Sequence, residues 1–70
     1  MDKKFQRVVT KIFKTKFRNN MSIDITPQWD SMNFLLLISE LEKLYKKKVK
    51  DNDIVKLNNV KRLYDYFKKK

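Results

Sequence analysis

Residues 28–37 read QWDSMNFLLL, from Gln28 to Leu37. A tryptophan and a carboxylate stand directly before a serine, and a long apolar pattern begins behind it. An aspartate at an N-cap accepts a hydrogen bond from one of the orphan N–H groups in the first helical turn. With Asp30 as the cap, Trp29 falls at N′ and Phe34 at N4, the spacing of a hydrophobic staple. The pattern predicts a helix over 31–46, its inward stripe made of Leu35, Leu37, Ile38, Leu41 and Tyr45. Leu36 and Leu44 fall outside that stripe. Lys46, Lys47 and Lys48 close the helix at its negative end.

Upstream, residues 18–29 read as a linker. Asn19 and Asn20 stop whatever precedes them, and Pro27 is the chain's one proline. Met21, Ile23 and Ile25 alternate with polar residues. A lone strand has no partner here, so these three side chains are expected to plug a long loop against helices. Phe5, Val8, Val9, Ile12 and Phe13 predict an amphipathic helix over 3–17, with Asp2 at its positive end and Phe17 ending the stripe. Downstream, Asp51 or Asp53 caps a short helix near 52–57 carrying Ile54, Val55 and Leu57. Asn58 or Asn59 then caps a last helix, 59–68, with Val60, Leu63, Tyr64 and Phe67 on one face. The lysine tail reads as frayed. The expected fold is all-α: a small antiparallel helical bundle of three main helices plus one short helix, in one domain spanning 1–70.

Composition narrows the chemistry. Seventy residues make one domain at most. A chain this short buries only about 60% of its unfolded surface. There is no Cys, His or Gly. That removes thiolate metal sites, disulfides, the usual general base and Gly-rich phosphate loops. Asp24, Asp30 and Glu40 offer carboxylates without a convergent pair, so an enzyme is not expected. No segment approaches the ~20 apolar residues that span a bilayer. The N-terminus lacks the apolar core of a secretory signal, which points to the cytoplasm; its basic amphipathic character leaves organelle targeting as an alternative. The net charge of +10 comes from 15 Lys and 3 Arg against 8 acidic residues. It reads as an anionic partner, nucleic acid or membrane, or as a well-solvated lysine surface.

Ser31 has two readings of its own. Asp and Ser before an apolar run are ordinary capping residues. Yet a hydroxyl at N1 lies where four backbone N–H groups lack intrahelical partners, and a phosphate ester there sits in a favourable field.

The whole chain decides between these readings. Asp30-Ser31-Met32 opens an apolar helix continuing as LLLISELEKLY (35–45), followed by VKDND (49–53) and LNNV (57–60). In that order and spacing the chain resembles the acyl carrier protein family, including its peptidyl and D-alanyl carrier relatives. Those proteins have Asp-Ser-Leu at the start of the second helix, an Ile-Pro-Asp-like turn and an Ile-Thr-Thr-Val-like start to the last helix. The resemblance covers essentially all 70 residues and is firmest from Trp29 to Phe67. It implies that Ser31, flanked by Asp30 and Met32, carries 4′-phosphopantetheine installed from coenzyme A by a phosphopantetheinyl transferase. The thiol of that arm would hold an acyl or aminoacyl group as a thioester. Further implied partners are a loading ligase and a downstream acyltransferase or synthase. A monomer is implied, with no nucleic acid partner and no stable membrane insertion. Leu37, Leu41, Ile54 and Leu57 are the implied wall of an acyl cavity, as well as core candidates.

The chain departs from the family in two ways. Met32 stands in place of Leu, a mild change of similar volume. The family's acidic second helix is largely gone: the outward docking positions read Asn33, Leu36, Glu40 and Lys43, with Leu36 beside Met32 suggesting a more apolar face. Trp29 before the Asp-Ser pair is similar to standalone carriers of specialised pathways (polyketide, nonribosomal or polysaccharide-modifying). The competing expectation is a small basic helical module that binds nucleic acid or an anionic membrane, with Ser31 only a capping residue. Against it, the basic residues look spread along the chain rather than gathered in one recognition helix.

Overall fold

The computed structural model describes residues 1–68; the reading of Lys69 and Lys70 as frayed lies outside the described residues. Four helices are present among the described residues: α1 (Lys3–Phe13), α2 (Ser31–Tyr45), α3 (Asp51–Ile54) and α4 (Val60–Lys68). The all-α class follows, three main helices and one short one.

Asp2 starts α1 by accepting the Phe5 N–H on Oδ1 at 2.8 Å. The helix ends at Phe13, four residues earlier than its apolar pattern predicts. Lys14 turns into the left-handed region (φ 55°) and its N–H returns to the Thr10 carbonyl at 2.8 Å. That cap satisfies an orphan carbonyl in the last turn. The turn also brings Phe17 back, so that its ring stands edge-on to Phe5 at 6.2 Å instead of prolonging the helix. Phe5, Val9 and Phe13 are the buried face.

The loop from 14 to 30 does not bury all three of its alternating apolar residues. Met21 is buried, but Ile23 and Ile25 are exposed. Met21 accepts the Val60 N–H at 3.0 Å, and the Ile23 N–H donates to the Asn58 carbonyl at 3.0 Å. An isolated antiparallel bridge, Ser22 to Asn59, is thereby set against the start of α4. The chain then turns: the N–H groups of Ile25 and Thr26 both return to the Ser22 carbonyl. A turn breaks the two-residue alternation of a strand, and Ile25 swings outward. Thr26 is buried instead, its hydroxyl accepting the Ser22 N–H at 3.1 Å.

Helix α2 matches its expected span within a residue. Leu37, Ile38 and Leu41 face the core. Leu35, placed on the inward stripe by its spacing, is exposed, and Leu44 packs partly against the core instead. A helix with apolar residues at every position from 34 to 38 does not define its own buried side. Lys46 ends it in the left-handed region (φ 53°).

Helix α3 is one turn long. Its N-cap is Lys50, without a side-chain bond, so neither Asp51 nor Asp53 caps it. Asp53 instead accepts the Tyr66 hydroxyl at 3.1 Å. The 46–50 connection is anchored on both sides. Glu42 accepts the Val49 N–H at 2.8 Å. The Lys47 ammonium donates to the Tyr66 carbonyl at 2.7 Å and lies 4.6 Å from that ring's centre. Asn59 caps α4, its side-chain oxygen accepting the Arg62 N–H at 2.8 Å. Val60, Leu63 and Phe67 close the core against Phe5, Val9, Leu37 and Leu41, which forms one continuous cluster.

Candidate functional site

The start of α2 is built from short-range bonds. Asp30 is extended (φ −109°, ψ 175°), and its Oδ1 accepts the Asn33 N–H at 2.8 Å. Its carbonyl accepts the Phe34 N–H at 2.8 Å. The Asn33 amide reaches back to the Gln28 carbonyl at 2.9 Å. Beneath this cap, Trp29 is buried between two rings: Phe34, stacked at 5.9 Å, and Phe13, tilted at 5.3 Å. The staple expected from spacing is formed, and Phe13 extends it into α1.

Ser31 is the first residue of this helix and is exposed. Among the described residues its hydroxyl has no hydrogen-bond partner, and neither has the N–H of Ser31 or of Met32. The cap thus occupies the donors of Asn33 and Phe34 and leaves the first two free, beside an unpartnered hydroxyl.

A groove of about 290 Å³ adjoins Ser31. Its apolar lining comes from three places in the chain: Ile23 and Trp29 in the loop, Phe34 on α2, and Ile54, Val55 and Leu57 on and after α3. Asp30, Ser31 and Asn58 complete it. Of the four cavity residues expected from the family, Ile54 and Leu57 line this groove. Leu37 and Leu41 do not: both are fully buried in the core. Trp29 and Phe34 were visible in the sequence as a staple, but not as a wall. Ile23 and Val55 carried no local signal for this position.

The expected docking positions divide. Leu36 is 49% exposed and Met32 73%, with Leu35 at 58% beside them. Asn33 is tied to the loop. Glu40 and Lys43 pair with each other at 3.6 Å. No residue from 31 to 39 carries a charge, so beyond the Asp30 cap the first turns of α2 are uncharged, with Met32, Leu35 and Leu36 as their exposed apolar side chains. Among the described residues there is no cluster of side chains that could hold a metal ion, and no helix is long and apolar enough to cross a membrane. No protein-family model matches the chain, and no curated protein and no solved structure matches it either.

Proposed function

We infer that this chain is an acyl or aminoacyl carrier protein, modified on Ser31 with 4′-phosphopantetheine. The observation that carries this reading is the Ser31 hydroxyl itself, exposed and unpartnered at the open end of α2, at the edge of an apolar groove. The residues present fit such a group. The free N–H groups of Ser31 and Met32 suit a phosphodiester anion, and the groove suits an apolar tether or cargo. When attached, the group supplies a thiol that carries the cargo as a thioester.

In the loading reaction the Ser31 oxygen forms a bond to the pantetheine-side phosphorus of the coenzyme A diphosphate, the bond from that phosphorus to the bridging oxygen breaks to release 3′,5′-ADP, and the hydroxyl proton passes to a base on the transferase. Asp30 holds the helix start that presents this oxygen. Met32 and Leu36 offer partner enzymes an apolar contact in place of the family's carboxylates. On this reading the helices take the antiparallel arrangement of carrier proteins. Two contacts support it: Phe13 meets Trp29 near the start of α2, while Asp2 meets Tyr45 at its end. The chain works as a cytoplasmic monomer and catalyses nothing itself. Its partners are the transferase, a loading ligase and an acyltransferase or synthase.

The test is intact-mass measurement after incubation with coenzyme A and a broad-specificity phosphopantetheinyl transferase. One phosphopantetheine is added, and Ser31→Ala blocks the addition while keeping the native helical circular dichroism. An unchanged mass, with a transferase active on a control carrier, overturns the reading.

A further inference from the structure

The +10 charge is not evenly spread. From Lys3 to Ile23 there is no carboxylate, while Lys3, Lys4, Arg7, Lys11, Lys14, Lys16 and Arg18 supply seven cations. All seven side chains are exposed, and none forms an ion pair among the described residues. At 3.6 residues per turn, Lys3, Lys4, Arg7 and Lys11 fall within an arc of about 100° of α1, and Lys14 follows at its left-handed cap. That arc lies opposite the buried Phe5, Val9 and Phe13. Past the helix end the chain folds back, so that Lys16 shares one surface groove with Lys3 and Arg7, and a second with Arg18 and the exposed Ile25.

We propose that this flank, from Lys3 to Arg18 with Ile25 at its edge, docks the protein on an anionic lipid bilayer. The inference does not depend on Ser31. Seven exposed cations without an ion pair follow one another here, and the flanking carboxylates are only two: Asp2, held by the Phe5 N–H, Tyr45 and Lys68, and Asp24 beside Ile25. Such a surplus of positive charge faces an anionic surface. The apolar side of α1 is committed to the core, so the contact is peripheral: lysines over headgroups, with one isoleucine at the depth where apolar side chains enter the interface. Nucleic acid fits less well. Five of the seven cations are Lys, which lacks the fork that reads guanine or clamps phosphate in two places. No aromatic ring is exposed among the described residues, which leaves no platform for base stacking. An exposed isoleucine next to two cations has no counterpart in a phosphate backbone.

The experiment is vesicle flotation of the full chain at low salt. Vesicles of phosphatidylglycerol and phosphatidylcholine in equal parts retain the protein, and phosphatidylcholine alone does not. Binding falls steeply as sodium chloride rises from about 0.05 M to about 0.5 M. The triple variant Arg7→Gln/Lys11→Gln/Lys14→Gln binds about 100-fold more weakly, roughly fivefold per charge. A control with the same loss of charge elsewhere, Lys46→Gln/Lys48→Gln/Lys61→Gln, stays within about twofold of the parent. Ile25→Ser weakens vesicle binding as well. Circular dichroism confirms that each variant is folded. Four results would overturn the proposal: equal binding to neutral vesicles, a triple variant that binds like the parent, no effect of Ile25→Ser, or tighter retention by duplex DNA or an RNA hairpin through the same three cations.

Discussion

At the C-terminal end of α2, Tyr45 donates to both carboxylate oxygens of Asp2 at 3.2 Å, and the Lys68 ammonium approaches the same carboxylate at 3.3 Å. One side chain thus joins the start of α1 to the ends of α2 and α4, under a Tyr45 ring stacked on Phe67 at 5.8 Å. At the N-terminal end of the same helix, Asp30 makes one side-chain bond, to Asn33 three residues on. Ser31, Met32, Leu35 and Leu36 around it are exposed, and the groove against α3 stays open. The first end holds three helices together; the second spends its bonds on its own turn and leaves a hydroxyl and an apolar surface available. A domain of this size has few kcal/mol to spare, and its side-chain hydrogen bonds and ion pair between helices gather at the first end.

Substitutions at the two ends sharpen that contrast. The largest effect is expected where the open end meets the core. Trp29→Ala removes a buried indole from between Phe13 and Phe34, at a cost of about 3–5 kcal/mol, enough to unfold much of the population. Urea unfolding followed by circular dichroism reads this directly. A loss below 1 kcal/mol would mean the staple is peripheral.

Next comes the tied end. Asp2→Ala loses the cap and leaves the half-buried Tyr45 hydroxyl without its acceptor, for about 2 kcal/mol. Asp30→Ala loses a cap alone, about 1 kcal/mol. If urea midpoints show Asp30→Ala to be the costlier change, the division between the ends is wrong.

The tied end also carries a pH signature. The Phe5 N–H leads in holding the Asp2 carboxyl below its ordinary value of 3.8; burial opposes it, and Lys68 and Tyr45 add to the lowering. A carboxylate favoured in the folded state contributes stability above its unfolded pKa and loses it as pH falls through the lowered folded value. The advantage of the parent over Asp2→Asn is therefore full near neutrality. It shrinks as pH drops below 3.8. A gap that is unchanged in acid would remove Asp2 from this role. The smallest effect is expected at the exposed face: Leu36→Ser changes stability by less than about 0.5 kcal/mol. If the carrier reading holds, its consequence appears only in the rate at which a phosphopantetheinyl transferase modifies Ser31.

Much of this was legible residue by residue. The Asp30 cap, the Trp29–Phe34 staple and the span of α2 rest on partners three to five positions apart, and local spacing is enough to place them. The overextension of α1 to residue 17 came from reading Phe17 as the next point on a stripe. In fact Lys14 turns the chain and Phe17 returns to Phe5. The seven cations of 3–18 were visible as residues, but only the structure shows that all seven are exposed without an ion pair and that the fold brings Lys16 beside Lys3 and Arg7.

What the amino-acid sequence determined alone was the helical class, the Asp2, Asp30 and Asn59 helix starts and the position of Ser31 at the first turn of its helix, because hydrogen bonds of i to i+3 reach and a 3.6-residue period are local properties. Only the tertiary structure decided which leucines of α2 are buried, that Leu37 and Leu41 belong to the core rather than to the groove's lining, and that Ile23, Ile54, Val55 and Leu57 line one groove with Trp29 and Phe34 beside Ser31. Those outcomes depend on how the loop, α2 and the α3 region share one small core, and no local spacing encodes that competition for volume.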